Sequence, residues 1–166
     1  MTNNYAFENL KENMVKACGK NLNISPKQSI EICNYVRGRP LAQAKRLIQA
    51  SIDMKVPIPF KRFTNGLGHK HGMAAGRFNP KACTEILKVI KSAEANAKNK
   101  GLNVPDLRLI HIATMTAPKS WHYGRKKRSV AKAAHLEVVL EEVKGLSQTK
   151  SGSSKTKPAE KQPVKK

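Results

Sequence analysis

The sequence predicts an α+β domain in which three amphipathic helices come first and a pair of antiparallel strands, joined by a long basic loop, comes last. Three observations lead there. Two helix starts are written as a capping residue followed by proline, Ser25-Pro26 and Asn79-Pro80. Apolar residues recur at helical spacing in three separate stretches. After Pro105-Asp106 the composition turns β-branched and then alternates apolar with polar.

Residues 1–13 are polar and weakly patterned, so they read as a surface extension with at most a short turn of helix. The first helix starts at Ser25, with Pro26 in its first turn and Gln28 where a capping box needs it. Ile30, Ile32, Cys33 and Val36 form its apolar side, and Gly38 can take the left-handed conformation that closes it. Pro40 opens a second helix that carries Leu41, Ala44, Leu47 and Ile48 on one side, turns Lys45, Arg46 and Gln49 away, and runs to about Ile52. The stretch from Pro57 to His69 is rich in proline and glycine and reads as an ordered loop, with Phe60 and Phe63 anchoring it to the core. The third helix follows Asn79-Pro80 and places Cys83, Ile86, Leu87, Ile90, Ala93 and Ala97 on one face before Gly101. At 1.5 Å per residue it reaches about 30 Å, enough to support a small domain.

Leu107 to Met115 and His135 to Glu141 read as strands. Antiparallel pairing would leave about twenty residues between them, far beyond a tight turn, and loops of that length are usually functional or disordered. From Ser147 the chain is lysine, serine and proline with almost nothing to bury, which reads as a disordered basic tail. The expected division is therefore an extension at 1–13, one folded unit at 14–146 that includes a hairpin arm at 107–140, and a tail at 147–166.

Lysine and arginine number 32 against 11 acidic residues, for a formal charge of +21. A free globular protein holds such an excess only against strong self-repulsion, so a polyanionic partner is expected. Aromatic residues are only 5% of the chain, which favours contacts to phosphates over stacking of each base on a ring. The three cysteines, Cys18, Cys33 and Cys83, are odd in number and lack Cys-x-x-Cys spacing, against a disulfide framework and a four-cysteine zinc site. No apolar run approaches the ~20 residues that span a bilayer, and the N-terminus lacks the order of a signal peptide. A cytoplasmic protein with no membrane span is expected.

The charge is concentrated in stretches without carboxylates. Between Asp53 and Glu85 lie Lys55, Lys61, Arg62, Lys70, Arg77 and Lys81, with His69 and His71 among them. Between Asp106 and Glu137 lie Arg108, Lys119, Arg125, Lys126, Lys127, Arg128 and Lys132. The run Arg125 to Arg128 alone could be a solvated loop or a nuclear-import signal. It follows Trp121, His122, Tyr123 and Gly124 at the end of a hairpin, however, and rings beside guanidinium forks can stack on unpaired bases and grip phosphates. Gly66-Leu67-Gly68 neither follows an evident strand nor leads into a helix, so it is no nucleotide fingerprint. His69-Lys70-His71 near Cys83 lacks the paired spacing of a closed zinc site. His111 and His135 read as half-buried residues on opposite strands. No spacing supports a catalytic arrangement, and neither a metal nor a cofactor is expected.

Several segments match one family. The run Ile24 to Leu41, the loop Val56 to Phe63, and Ser92-Ala93-Glu94-Ala95-Asn96-Ala97 followed by Lys100-Gly101-Leu102 resemble the universal large-subunit ribosomal protein numbered twenty-two in bacteria and seventeen in eukaryotes. Ile110-His111-Ile112-Ala113 adds to the match, which spans roughly Ala17 to Val143. Residues 53–79 resemble the insertion of archaeal and eukaryotic members. The resemblance implies an α/β (α+β) fold of three helices packed on a small antiparallel sheet with a long protruding β-hairpin. It also implies a structural constituent of the large subunit that supports assembly and lines the nascent peptide exit tunnel with that hairpin. The implied partners are large-subunit ribosomal RNA, neighbouring ribosomal proteins and the nascent polypeptide. At the tip, Tyr123-Gly124-Arg125-Lys126 stands where the family has Pro-Arg-Ala-x-Gly-Arg or Tyr-Arg-Ala-x-Gly-Arg, and the loop is several residues shorter.

The candidate RNA-binding residues are Lys27, Arg37 and Arg39 around the first helix, Lys61, Arg62, His69, Lys70, His71 and Arg77 in the middle stretch, and Lys119, Trp121, His122, Tyr123, Arg125, Lys126, Lys127, Arg128 and Lys132 in the arm. Two other readings stay open. A free chromatin or RNA-binding protein outside the ribosome would suit the basic loops and tail, but it predicts a recognition helix, whereas the charge lies in loops. An RNA-modifying enzyme predicts a concave pocket with perturbed acids, for which the sequence offers no candidates.

Overall fold

Strand β6 (Ala134–Glu142) is the centre of the molecule: it pairs antiparallel with β1 (Met14–Leu22) on one side and β5 (Leu107–Thr116) on the other. The structure, a computed structural model, describes residues 5–143; the expected tail at 147–166 lies outside the described residues. Helices α1 (Pro26–Val36), α2 (Leu41–Ile52) and α3 (Pro80–Asn99) complete the main body. A second small sheet, β2 (Ile58–Pro59), β4 (Met73–Arg77) and β3 (His69–Lys70) in that order, lies between α2 and α3 in the chain.

The core lies between the sheet and the helices. Alternate residues of β6, namely Ala134, Leu136, Val138 and Leu140, meet Ile32 and Val36 of α1, Ala44 and Ile48 of α2, and Ile86, Ile90, Ala93 and Ala97 of α3 in one buried cluster. Each fully buried leucine or isoleucine there contributes about 1.5–3 kcal/mol of transfer free energy. Alanine at 93 and 97 lets α3 come close to the sheet, and larger side chains would hold it off. Around these alanines, Glu94 pairs with Lys45 of α2, and Asn96 Nδ2 donates to the Lys16 carbonyl on β1 at 3.1 Å. The Ser-Ala-Glu-Ala-Asn-Ala signature thus joins three elements.

The opposite face of β6 is also covered. Tyr5 meets Lys16 of β1, the Ala6 amide donates to Glu137 of β6 at 3.0 Å, and the Phe7 ring lies 5.5 Å from that of His111 on β5. Three consecutive residues therefore cross all three strands, and Val139 and Glu137 are buried beneath them. No helix forms within residues 5–12, where at most a short turn of one was expected; the segment is a strap across the sheet. Its local pattern is weak because its partners are in the sheet, not in itself.

Other expectations also change. Ser25 is the N-cap of α1, but its side chain makes no capping bond; its carbonyl instead accepts from both the amide and the hydroxyl of Ser29. The capping box therefore does not form. Strand β1 was not legible in MVKACGKNL, which mixes glycine, lysine and asparagine; pairing with β6 and packing under α3 make it a strand. Strand β2 and the start of β3 fall within the stretch that reads as an ordered loop, and β4 follows it where the sequence suggests no element; runs this short carry little periodicity. Gly38 does take the left-handed conformation, φ +74°, and its amide donates to Leu109.

Two consequences can be measured. At Gly19 an added Cβ would stand 2.7 Å from Val89 Cγ2 on α3 and 3.1 Å from Leu22, so Gly19→Ala should cost about 1–3 kcal/mol in urea unfolding. Lys45, through its hydrogen bond, holds the Glu94 carboxyl below the usual carboxylate range. A carboxyl with a lowered folded pKa stabilises the fold above that range and loses the contribution as pH falls through it. Glu94→Gln should therefore lower the melting temperature at neutral pH, and the difference from the natural protein should vanish in acid.

Candidate nucleic-acid interface

The interface begins with how the few carboxylates are used. Glu31 on α1 is 2% exposed, and its oxygens accept three successive backbone amides of the loop after β2: Lys61 at 3.2 Å, Arg62 at 2.7 Å and Phe63 at 2.9 Å. A buried carboxylate is costly unless hydrogen-bonded, and bonds to a charged group contribute about 1.5–3 kcal/mol each. Glu137 accepts from Ala6, Glu141 from Asn13, and Glu142 from the Asn103 amide. Most of these acids hold chain segments in place instead of neutralising cations. Among the described residues the ion pairs join Lys45 and Lys98 to Glu94, and Lys88 to Glu85.

Three arginines have internal partners. Arg37 Nη2 donates to the Ile112 carbonyl at 2.8 Å, Arg108 Nε to Gly38 at 2.9 Å, and Arg39 Nε to Tyr35 at 2.8 Å with its guanidinium 5.0 Å from the Tyr35 ring. Together with Gly38, these contacts cover the outer edge of β5 with the α1–α2 turn, blunting an edge that could pair with another chain. Arg37 and Arg39, both candidates from sequence, are thus partly engaged in the fold.

The remaining candidates fall into three places. Lys27 and Arg62 come together around Phe63, whose ring centre lies 5.7 Å from Lys27 Nζ and 5.3 Å from the Arg62 guanidinium, while Lys61 lines a shallow hollow with Tyr35 and Arg39. Phe60 is buried as expected, while Phe63 is only half-buried. His69 and Lys70 form β3, His71 lies in the turn to β4, and Arg77 ends β4 opposite Ile58. His69 Nδ1 donates to the Ala74 carbonyl at 2.9 Å, and Lys70 Nζ sits 5.6 Å from the Phe78 ring. Among the described residues, no three metal-ligating side chains gather, and Cys83 is buried within the core.

The third place is the arm. The β5–β6 ladder belongs to the body, and beyond it Ala117 donates to Ala133, Ala131 to Ser120, and His122 to Ser129. Trp121 bridges to Val130, and a single 3₁₀ turn at Gly124–Lys126 closes the tip. Every residue from Pro118 to Val130 is exposed; Trp121 is 68% and Tyr123 94% exposed. Between the arm and the body, His122 and Lys132 line an open groove of about 340 Å³ together with Ser25, Gln28 and Lys81. Lys119, Arg125, Lys126, Lys127, Arg128 and Lys132 form no ion pair among the described residues. The histidines of the strands are half-buried: His135 Nδ1 accepts from the Asn21 amide, and burial holds the His111 pKa below its ordinary value.

Sequence reasoning missed two participants. Glu31 is an isolated acid beside the apolar stripe of α1, and its only signal was its rarity in so basic a chain. Lys81 sits in the first turn of α3, and nothing in sequence spacing joins it to Lys132.

The sequence matches known proteins over most of its length. The family model described as Ribosomal protein L22p/L17e matches residues 17–141. A protein named large ribosomal subunit protein uL22 from Methanosphaera stadtmanae is 37% identical over 84% of this chain and 97% of its own length. Proteins of the same name from Ignicoccus hospitalis and Methanocella arvoryzae are 38% and 40% identical, over 80% and 77% of this chain and 90% and 86% of their own lengths. With a match that runs from β1 through nearly all of β6, the chain belongs to the ribosomal protein L22p/L17e family.

Proposed function

We propose that this protein is a structural, non-catalytic constituent of the large ribosomal subunit in the cytoplasm, binding ribosomal RNA and packing among other ribosomal proteins. The observation that carries this is the division of charge: among the described residues, carboxylates turn inward to hold segments, and cations without an ion pair cover the loops and the arm. Such a surface gains affinity by releasing counterions from RNA phosphates. Residues 14–146 act as the RNA-binding unit, and the lysines after Ser147 extend its reach along RNA. The arm, continuous with the central sheet, reaches into RNA and presents Trp121 to Arg128 to the wall of the exit tunnel and the nascent polypeptide. A free chromatin or RNA-binding protein is the other outcome of the test.

Large subunits purified from the source cells should retain the protein through washes at moderate salt that leave the particles intact. Its complete release from intact particles would refute the assignment. In binding to large-subunit RNA, changing Arg125, Lys126, Lys127 and Arg128 together to alanine should flatten the dependence of log affinity on log salt by roughly three. The melting temperature should not move, because these side chains pack against no core.

A further inference from the structure

Glu31 is an anion buried where no cation pairs with it among the described residues. Its partners are three consecutive amides, and a run of convergent N–H groups is the backbone arrangement that holds phosphates in anion-binding loops. Here the protein supplies the anion. With the amides of Lys61, Arg62 and Phe63 turned to Glu31, the Lys61 and Arg62 side chains are exposed, and Arg62 shares the Phe63 ring with Lys27. Lys27 and Arg62, held on one ring, repel each other and would push the loop away from α1. A carboxylate beneath the loop opposes that repulsion without occupying the cations' outward faces. Phe60, 6% exposed, already anchors the loop through apolar packing, which does not require a charge.

We propose that Glu31 is a positioning residue for RNA: its buried carboxylate locks residues 61–63 so that Lys27, Lys61 and Arg62 form one cationic surface for RNA backbone phosphates. This rests on the ribosomal RNA reading above. Glutamine at 31 keeps the size but has one acceptor oxygen, sets an NH₂ group against amide donors, and lacks the charge.

The test is filter binding of the full chain to large-subunit RNA across a salt series, with K61A/R62A, E31Q and the triple variant. The double variant should lower the salt slope by about two. E31Q should lower it by a similar amount, and the triple variant should match the double. An E31Q slope equal to that of the natural protein overturns the proposal, as does a triple variant that loses affinity well beyond the double. In the natural protein, amide exchange at 61–63 should be as slow as in α1; fast exchange there overturns the proposal even if E31Q does not fold. Failure of the natural protein to bind the RNA refutes the ribosomal reading. A normal slope for K61A/R62A in a natural chain that binds refutes only this inference.

Discussion

Burial of β6 on both faces is the constraint from which the rest of the structure follows. One face meets the helices through Ala134, Leu136, Val138 and Leu140, and the other is covered by the strap that crosses at Tyr5, Ala6 and Phe7. A strand held in this way cannot slip, because a one-residue shift would exchange its two buried sets, placing Glu137 in the helical core. The register of β5 is fixed with it, and so is the point at which the arm leaves the body.

The arm inherits this rigidity. Its base is a continuation of the β5–β6 ladder, so its direction is set by the body even though residues 118–130 contribute nothing to the core. On the reading proposed above, a rigid base suits a device that must enter RNA at a defined angle, since ordering a flexible loop on binding would cost conformational entropy.

Charge is divided by the same logic. With 11 acids against 32 bases, general neutralisation is impossible, and the acids are placed where one carboxylate fixes several groups. Glu31 holds three amides, and Glu94 joins α2 to α3 through Lys45 while also meeting Lys98. Burial likewise raises the cysteine thiols, most of all Cys33 beside Thr114, which is pushed up to about 12.

What the sequence determined by itself were the features whose cause is local. The three helices, the two long strands, the glycine that closes α1 and the carboxylate-free basic stretches were legible because capping pairs, periodicity and charge are written within a few residues of where they act. Ser-Ala-Glu-Ala-Asn-Ala was legible as a family mark, but not as a three-way joint. Only the tertiary structure decided that MVKACGKNL is a strand, that the polar N-terminal residues form a strap over Glu137 and Val139, and that Glu31 holds a loop thirty residues away. It also decided that Arg37 and Arg39 partly serve the fold, and that Lys81 and Lys132 line one groove. The physical reason is the same in each case: the partner that satisfies the group lies far off in the chain, so neither spacing nor composition nearby records it.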